Sequence, residues 1–335
     1  MLYVKSLNTA LHEMMSKDSQ VILIGEDILD PYGGAFKVSK GLSTQFPKQV
    51  ISTPISEQSI TGAAIGMAMR GMKPVVEIMF GDFITLCTEQ IVNQATKYPW
   101  MFNGQVTVPI VIRTPMGGGR GYGPTHSQTL ENLFMPVPNL KIVAPSLFHN
   151  PGEMLKKCVF EFEEPVLFIE NKKSYPKEII AGENFKDLNI NRIKSNNHFD
   201  IVNLSMFPDE QPDVTILTYG GMSEIAANVS IDLFMDEEIL VEVIVFGDVK
   251  PFPLEAIIPK IIRSGRVLVL EEGHVTGGWG TEVAYQIQQN AFTSLKKPVR
   301  CHGAKDSPIP SSLLMEREVL PTITNTKKNI MKLLK

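Results

Sequence analysis

Cysteine is scarce in this chain: three in 335 residues, at Cys87, Cys158 and Cys301, with no CxxC pair. Such spacing offers neither a disulfide framework nor a zinc site, so the thiols are expected to be reduced and buried, and no metal ligand is assigned. Long apolar runs are missing as well, so no segment reads as a membrane span. Basic charge is not in excess, with Lys+Arg 32 against Asp+Glu 36 and a net charge of −4. Nothing in that balance points to a nucleic-acid surface. The first residues, Met1-Leu2-Tyr3-Val4-Lys5, lack the charged start and apolar core of a signal peptide and the Arg- and Ser-rich character of a transit peptide. The expectation is a cytoplasmic chain or a mature matrix form. Low-complexity segments and short repeats are also missing.

What is present is ample core: 43% hydrophobic against 20% charged residues, in a chain long enough for two domains. Gln20–Gly25 is an unbroken apolar run, the mark of a strand buried on both faces. Further strands are predicted at 50–51, 74–79, 106–113, 140–144 and 165–170, and helices at 3–17, 38–46, 58–70, 84–97 and 150–163. Apolar strands alternating with helices mean an α/β fold with a parallel sheet. The pattern breaks at 172–212, a Lys- and Asn-rich stretch with at most an edge strand near 200–204. A second α/β unit follows, with strands at 213–219, 239–246, 266–271 and 298–302 and a last helix at 322–334. The expected division is a first domain at 1–183, a linker at 184–212 and a second domain at 213–335.

Ligands of open parallel sheets bind at the carboxyl ends of strands. Glu26, Glu57, Phe83 and His126 each follow a predicted strand of the first domain, so four loops are expected to converge there. Glu57 opens a run of small residues after Pro54. It can serve as a helix-terminal carboxylate or, partly desolvated, as a proton carrier. Glu26 in Gly25-Glu26-Asp27 has the same two readings, and Phe83 is either core or a flat platform. His126 lies in a glycine-rich loop that offers an imidazole little apolar surface to fill. Residues 117–123 can cradle an anion with backbone N–H groups, although they match neither GxGxxG nor a Walker A loop. Glu271-Glu272-Gly273-His274 with Gly277-Gly278-Trp279-Gly280 reads as a tight turn whose glycines permit close packing.

In order along the chain, Gly25-Glu26-Asp27, Thr53-Pro54-Ile55-Ser56-Glu57-Gln58, Glu77-Ile78-Met79-Phe80-Gly81-Asp82-Phe83, His126-Ser127-Gln128, Asn139–Ser146 and Asp213–Gly220 resemble one family. It is the beta subunit of the thiamine-diphosphate-dependent first component of 2-oxo acid dehydrogenase complexes, which act on pyruvate, branched-chain 2-oxo acids or acetoin. The resemblance covers nearly the whole chain. It implies a pyrimidine-binding domain followed by a transketolase C-terminal-type domain, and oxidative decarboxylation with acyl transfer to lipoamide. It also implies residue roles. Glu57 matches the glutamate on the pyrimidine ring nitrogen, and Phe83 the aromatic stacked on that ring. Glu26 and Ile55 match neighbouring cofactor contacts, and His126 an active-site histidine.

The family's Mg²⁺-binding Gly-Asp-Gly is absent from this sequence; Gly81-Asp82-Phe83 and Gly247-Asp248-Val249 come nearest. The resemblance therefore implies an alpha subunit that holds Mg²⁺, an α2β2 heterotetramer with shared active sites, and a lipoyl-bearing acyltransferase as further partner. Pro124-Thr125 before His126 is closer to the Gly-Pro-Thr-His of transketolases, and Phe160–Glu164 departs from the family's Arg-Asp loop. Two alternatives thus stay open: the C-terminal half of a split transketolase, and a non-catalytic scaffold.

Overall fold

The apolar run after Gln20 forms β1 (Val21–Gly25), buried along its whole length as a strand covered on both faces must be. The computed structural model describes all 335 residues. It divides into two units, one of Met1–Met116, Leu133–Val143 and Asn150–Ile179, the other of Gly117–Asn132, Ala144–His149 and Ile180–Lys335.

In the first unit β1 lies between β2 (Val50–Ser52) and β3 (Lys73–Glu77), and the sheet continues through β4 (Val111–Met116) and β6 (Val166–Asn171) to β5 (Lys141–Val143). All of these pairings are parallel. Gly25 registers with Ser52 on one side and Glu77 on the other, so the loops after β1, β2 and β3 leave from one edge. β4 begins later than expected from the sequence. Pro109 has no N–H to give a ladder, and Ile110 bonds locally to Val108. The helix expected at 84–97 is instead a 3₁₀ turn at Gly81–Cys87, a π-helix at Gln90–Ala95 and a single turn at Tyr98–Met101 with Pro99 near its start. The basic helix expected at 38–46 shrinks to Leu42–Gln45.

The second unit has a seven-stranded sheet. Its order is Arg300–Ala304, Val267–His274, Val214–Tyr219, Val241–Phe246, Ile201–Ser205, Leu188–Ile193, Asn184–Phe185. The first four strands run parallel and the last three antiparallel. The linker expected at 184–212 is therefore corrected: it contributes the last three strands of this sheet. Leu188 and Ile190 are buried while Asn191 is exposed, so this stretch alternates with the two-residue period of a half-buried strand. Leu188, Val202 and Leu204 join the core formed with Val214, Ile216, Val243 and Leu268. The last helix, Ile323–Leu334, starts with a capping box in which Thr322 Oγ1 accepts from Asn325 N and the Asn325 side chain accepts from Thr322 N.

Candidate active site

Three loops at the β1–β2–β3 edge carry four of the five residues singled out by sequence. Glu26 follows β1, Ile55 and Glu57 follow β2, and Phe83 follows β3. Glu57 is the first residue of the Glu57–Met69 helix, yet the Ser56 side chain makes no capping bond there. Glu57 is buried beside the small residues Thr61 and Ala64, unlike an ordinary solvated helix-terminal carboxylate. Its carbonyl oxygen accepts a bond from Cys87 Sγ at 3.5 Å. Burial pushes that thiol up to about 12, with the carboxylates of Glu57 and Glu26 adding to the effect.

Glu26 is buried, and its Oε2 has no hydrogen-bond partner. Burial raises its carboxyl above the ordinary range, and the charges of Glu57 and Asp27 raise it further. The two glutamates are thus electrostatically coupled. Ile55 projects into solvent with 78% of its surface exposed, so it is available to a ligand or to another chain. Phe83 is half-buried and meets Phe80 edge to face, with ring centroids 6.0 Å apart.

Beneath this edge lies a feature that the sequence reading did not single out. Arg113 of β4 is 1% exposed and donates from Nε and Nη2 to Glu170 of β6, at 2.8 and 2.6 Å, and from Nη1 to Glu77 of β3. Tyr175 Oη donates to Glu170 Oε2 at 2.5 Å. Burial raises the Glu77 carboxyl while Arg113 pulls it back down. The apolar strands hid the network, and the one visible sign was a charged residue within each of three buried strands.

His126 leaves by β4, but its loop is built into the second unit. Gly117, Gly119, Gly121 and Gly123 all have positive φ, so left-handed backbone recurs at every second residue. Backbone of this kind turns N–H groups toward an anion. The anion is the chain's own. Glu316, 1% exposed, accepts from Gly119 N at 2.6 Å and Gly121 N at 3.1 Å, and Glu272 accepts from Gly118 N at 2.8 Å. The expected cradle exists, but protein carboxylates occupy these amides. His126 N bonds back to Gly123 O at 3.3 Å, and the Thr125 hydroxyl lies 2.9 Å from His126 Nδ1.

Behind the loop, Glu131, Tyr219 and Glu271 are buried together, with Tyr219 Oη donating to Glu131 Oε1. The glycines after Glu272 do permit close packing. A Cβ on Gly278 would stand 2.6 Å from Glu271 Oε1, and Gly280 N donates to that oxygen at 3.0 Å. Burial pushes Glu131 up to about 7 and Glu271 up to about 8, each aided by a neighbouring acid. Carboxyls raised in the folded state give stability that is complete below their unfolded value near 4.5 and is lost as pH rises through about 7–8. Melting temperature is therefore expected to fall between roughly pH 5 and 8, and Glu271→Gln to flatten that slope in a calorimetric pH series.

Comparison with known proteins gives two family matches, "Transketolase, pyrimidine binding domain" over residues 1–178 and "Transketolase, C-terminal domain" over residues 206–325. The chain is 33% identical over 320 residues to the pyruvate dehydrogenase E1 component subunit beta of Rickettsia bellii, covering 95% of this chain and 94% of that one. It is 34% identical over 319 residues to the 2-oxoisovalerate dehydrogenase subunit beta of Bacillus subtilis, covering 95% and 93%. It is 32% identical over 331 residues to the acetoin:2,6-dichlorophenolindophenol oxidoreductase subunit beta of Cupriavidus necator, covering 95% and 92%. A solved split-gene transketolase, an inactive beta4 tetramer, superposes with a TM-score of 0.74 at 21% identity over 100% of this chain and 98% of that one, a likeness of fold.

Proposed function

We propose a function from this premise: the chain belongs to the family of thiamine-diphosphate-dependent 2-oxo acid dehydrogenase first-component beta subunits, whose domains are of transketolase type. It acts as the beta half of an acyl-transferring oxidoreductase. The observation that carries the site assignment is the coupled pair of buried carboxylates, Glu57 and the unpartnered Glu26. An unpaired buried acceptor beside a second acid is costly in isolation and suits a ligand that brings N–H donors. The aminopyrimidine of thiamine diphosphate is such a ligand, so the residues present fit the group.

When bound, thiamine diphosphate supplies the electron sink for cleavage next to a keto carbon. Glu57, whose carboxyl is buried, would hold a proton at the pyrimidine ring nitrogen when that group is bound. Phe83, Glu26 and Ile55 would hold the pyrimidine at the same sheet edge, Phe83 as an aromatic platform. His126 exchanges a proton with the substrate or the acyl acceptor. Mg²⁺ and the diphosphate are held mainly by an alpha subunit in an α2β2 assembly, in keeping with the missing Gly-Asp-Gly. A lipoyl-bearing acyltransferase accepts the acyl group, and the assembly works in the cytoplasm. The named relatives differ in substrate.

The test is an acceptor assay on the chain co-expressed with an alpha-type partner. Lipoamide reduction that depends on pyruvate, a branched-chain 2-oxo acid or acetoin is expected. Ketol transfer between sugars without lipoamide reduction would instead favour the split-transketolase reading.

A further inference from the structure

We propose that Glu316 is a positioning residue for His126, its carboxylate serving as the built-in anion that fixes the shape of the glycine-rich loop. The proposal rests on the catalytic reading of His126 and extends it to a residue 190 positions away.

The geometry carries it. Glu316 sits in the Leu313–Val319 helix and is almost wholly buried. Its two oxygens divide the work: Oε1 takes Gly119 N–H at 2.6 Å and Oε2 takes Gly121 N–H at 3.1 Å. Charge-assisted bonds of this kind are about twice as strong as neutral ones. The fit is close on the loop side too. A Cβ on Gly118 would come within 2.8 Å of Glu316 Oε1 and 2.7 Å of Leu320 Cδ1, and one on Gly121 within 3.0 Å of Ser311 O. From Gly121 the chain runs through Gly123, whose carbonyl takes the His126 N–H. The backbone that aims the imidazole is thus anchored two residues before that turn. Without the carboxylate, the Gly119 and Gly121 N–H groups lose their acceptor, and glycine itself does little to hold a left-handed angle.

The experiment uses the assembled enzyme with its alpha-type partner and combines Glu316→Ala, Glu316→Gln and His126→Ala. Glu316→Ala is expected to lower kcat by about 10²-fold, the order of loss a displaced catalytic group causes. It should cost little more when His126 is already alanine, because a positioning residue acts through the group it positions. Glu316→Gln keeps one acceptor oxygen but turns an amide NH₂ toward a backbone N–H, so an intermediate loss is expected. It also serves if the alanine variant does not assemble. Independently of turnover, amide hydrogen exchange at residues 117–123 is expected to quicken in the cofactor-free Glu316 variants. Losses that multiply fully with His126→Ala, or unchanged exchange in the loop, would overturn the proposal. An unchanged rate in His126→Ala alone would remove the histidine's catalytic role, while the exchange measurement still judges the clamp.

Discussion

Replacing Glu57 by Gln in the assembled enzyme is expected to lower turnover by about 10²–10⁴-fold, the range a positioned proton carrier contributes. Subunit assembly and melting temperature should stay close to the parent, because the amide is isosteric and Glu57 makes no salt bridge and caps no helix with its side chain. Loss of its charge also removes one of the two carboxylates that raise Glu26. The Glu26 titration should therefore move down toward the ordinary carboxylate range. Steady-state kinetics with cofactor in excess separates the outcomes: near-normal kcat would sink the proton-carrier role. A raised cofactor requirement with unaltered kcat would reduce Glu57 to a binding contact.

The second large effect concerns stability. Arg113→Leu leaves Glu77 and Glu170 buried together with no cation, and removing one partner of a buried ion network costs about 3–5 kcal/mol. A lowered denaturant midpoint, or failure to accumulate as folded protein, is the expected result. Adding Glu77→Gln and Glu170→Gln should recover much of the loss, since the stranded charges then disappear. A single variant as stable as the parent would mean that water reaches the network. The consequence for activity is direct. Glu77 registers with Gly25 of β1 and with Arg113 of β4, so the network fixes the strand ends from which the Glu26 and Phe83 loops depart.

The parallel sheet of the first unit was legible because fully buried strands must be continuous apolar runs, as Val21–Gly25 and Val166–Asn171 are. The loops carrying Glu26, Ile55, Glu57 and Phe83 followed from those strand ends. The segment 184–205 was misread because asparagines dominate its composition. The deciding signal there was the alternation Leu188-Asn189-Ile190-Asn191, in which polar residues occupy only the outward positions. The acids behind the His126 loop were hidden for another reason. Glu272 and Glu316 meet Gly118 and Gly119 across 154 and 197 residues, and no local pattern records a partner so distant. The anion cradle was visible in the glycines, while the identity of its anion was not.

That separation bears on how the polypeptide is made. Synthesis runs from the amino end, and the glycine-rich loop leaves the ribosome long before residue 316 exists. Until the last helices emerge, the amides of Gly119 and Gly121 have only water for a partner, and closing so long a span is slow because its contacts are non-local. The histidine loop is therefore among the last parts of the second unit to take its final shape. A nascent chain stopped short of residue 316 carries every strand of the first unit and an unformed His126 turn.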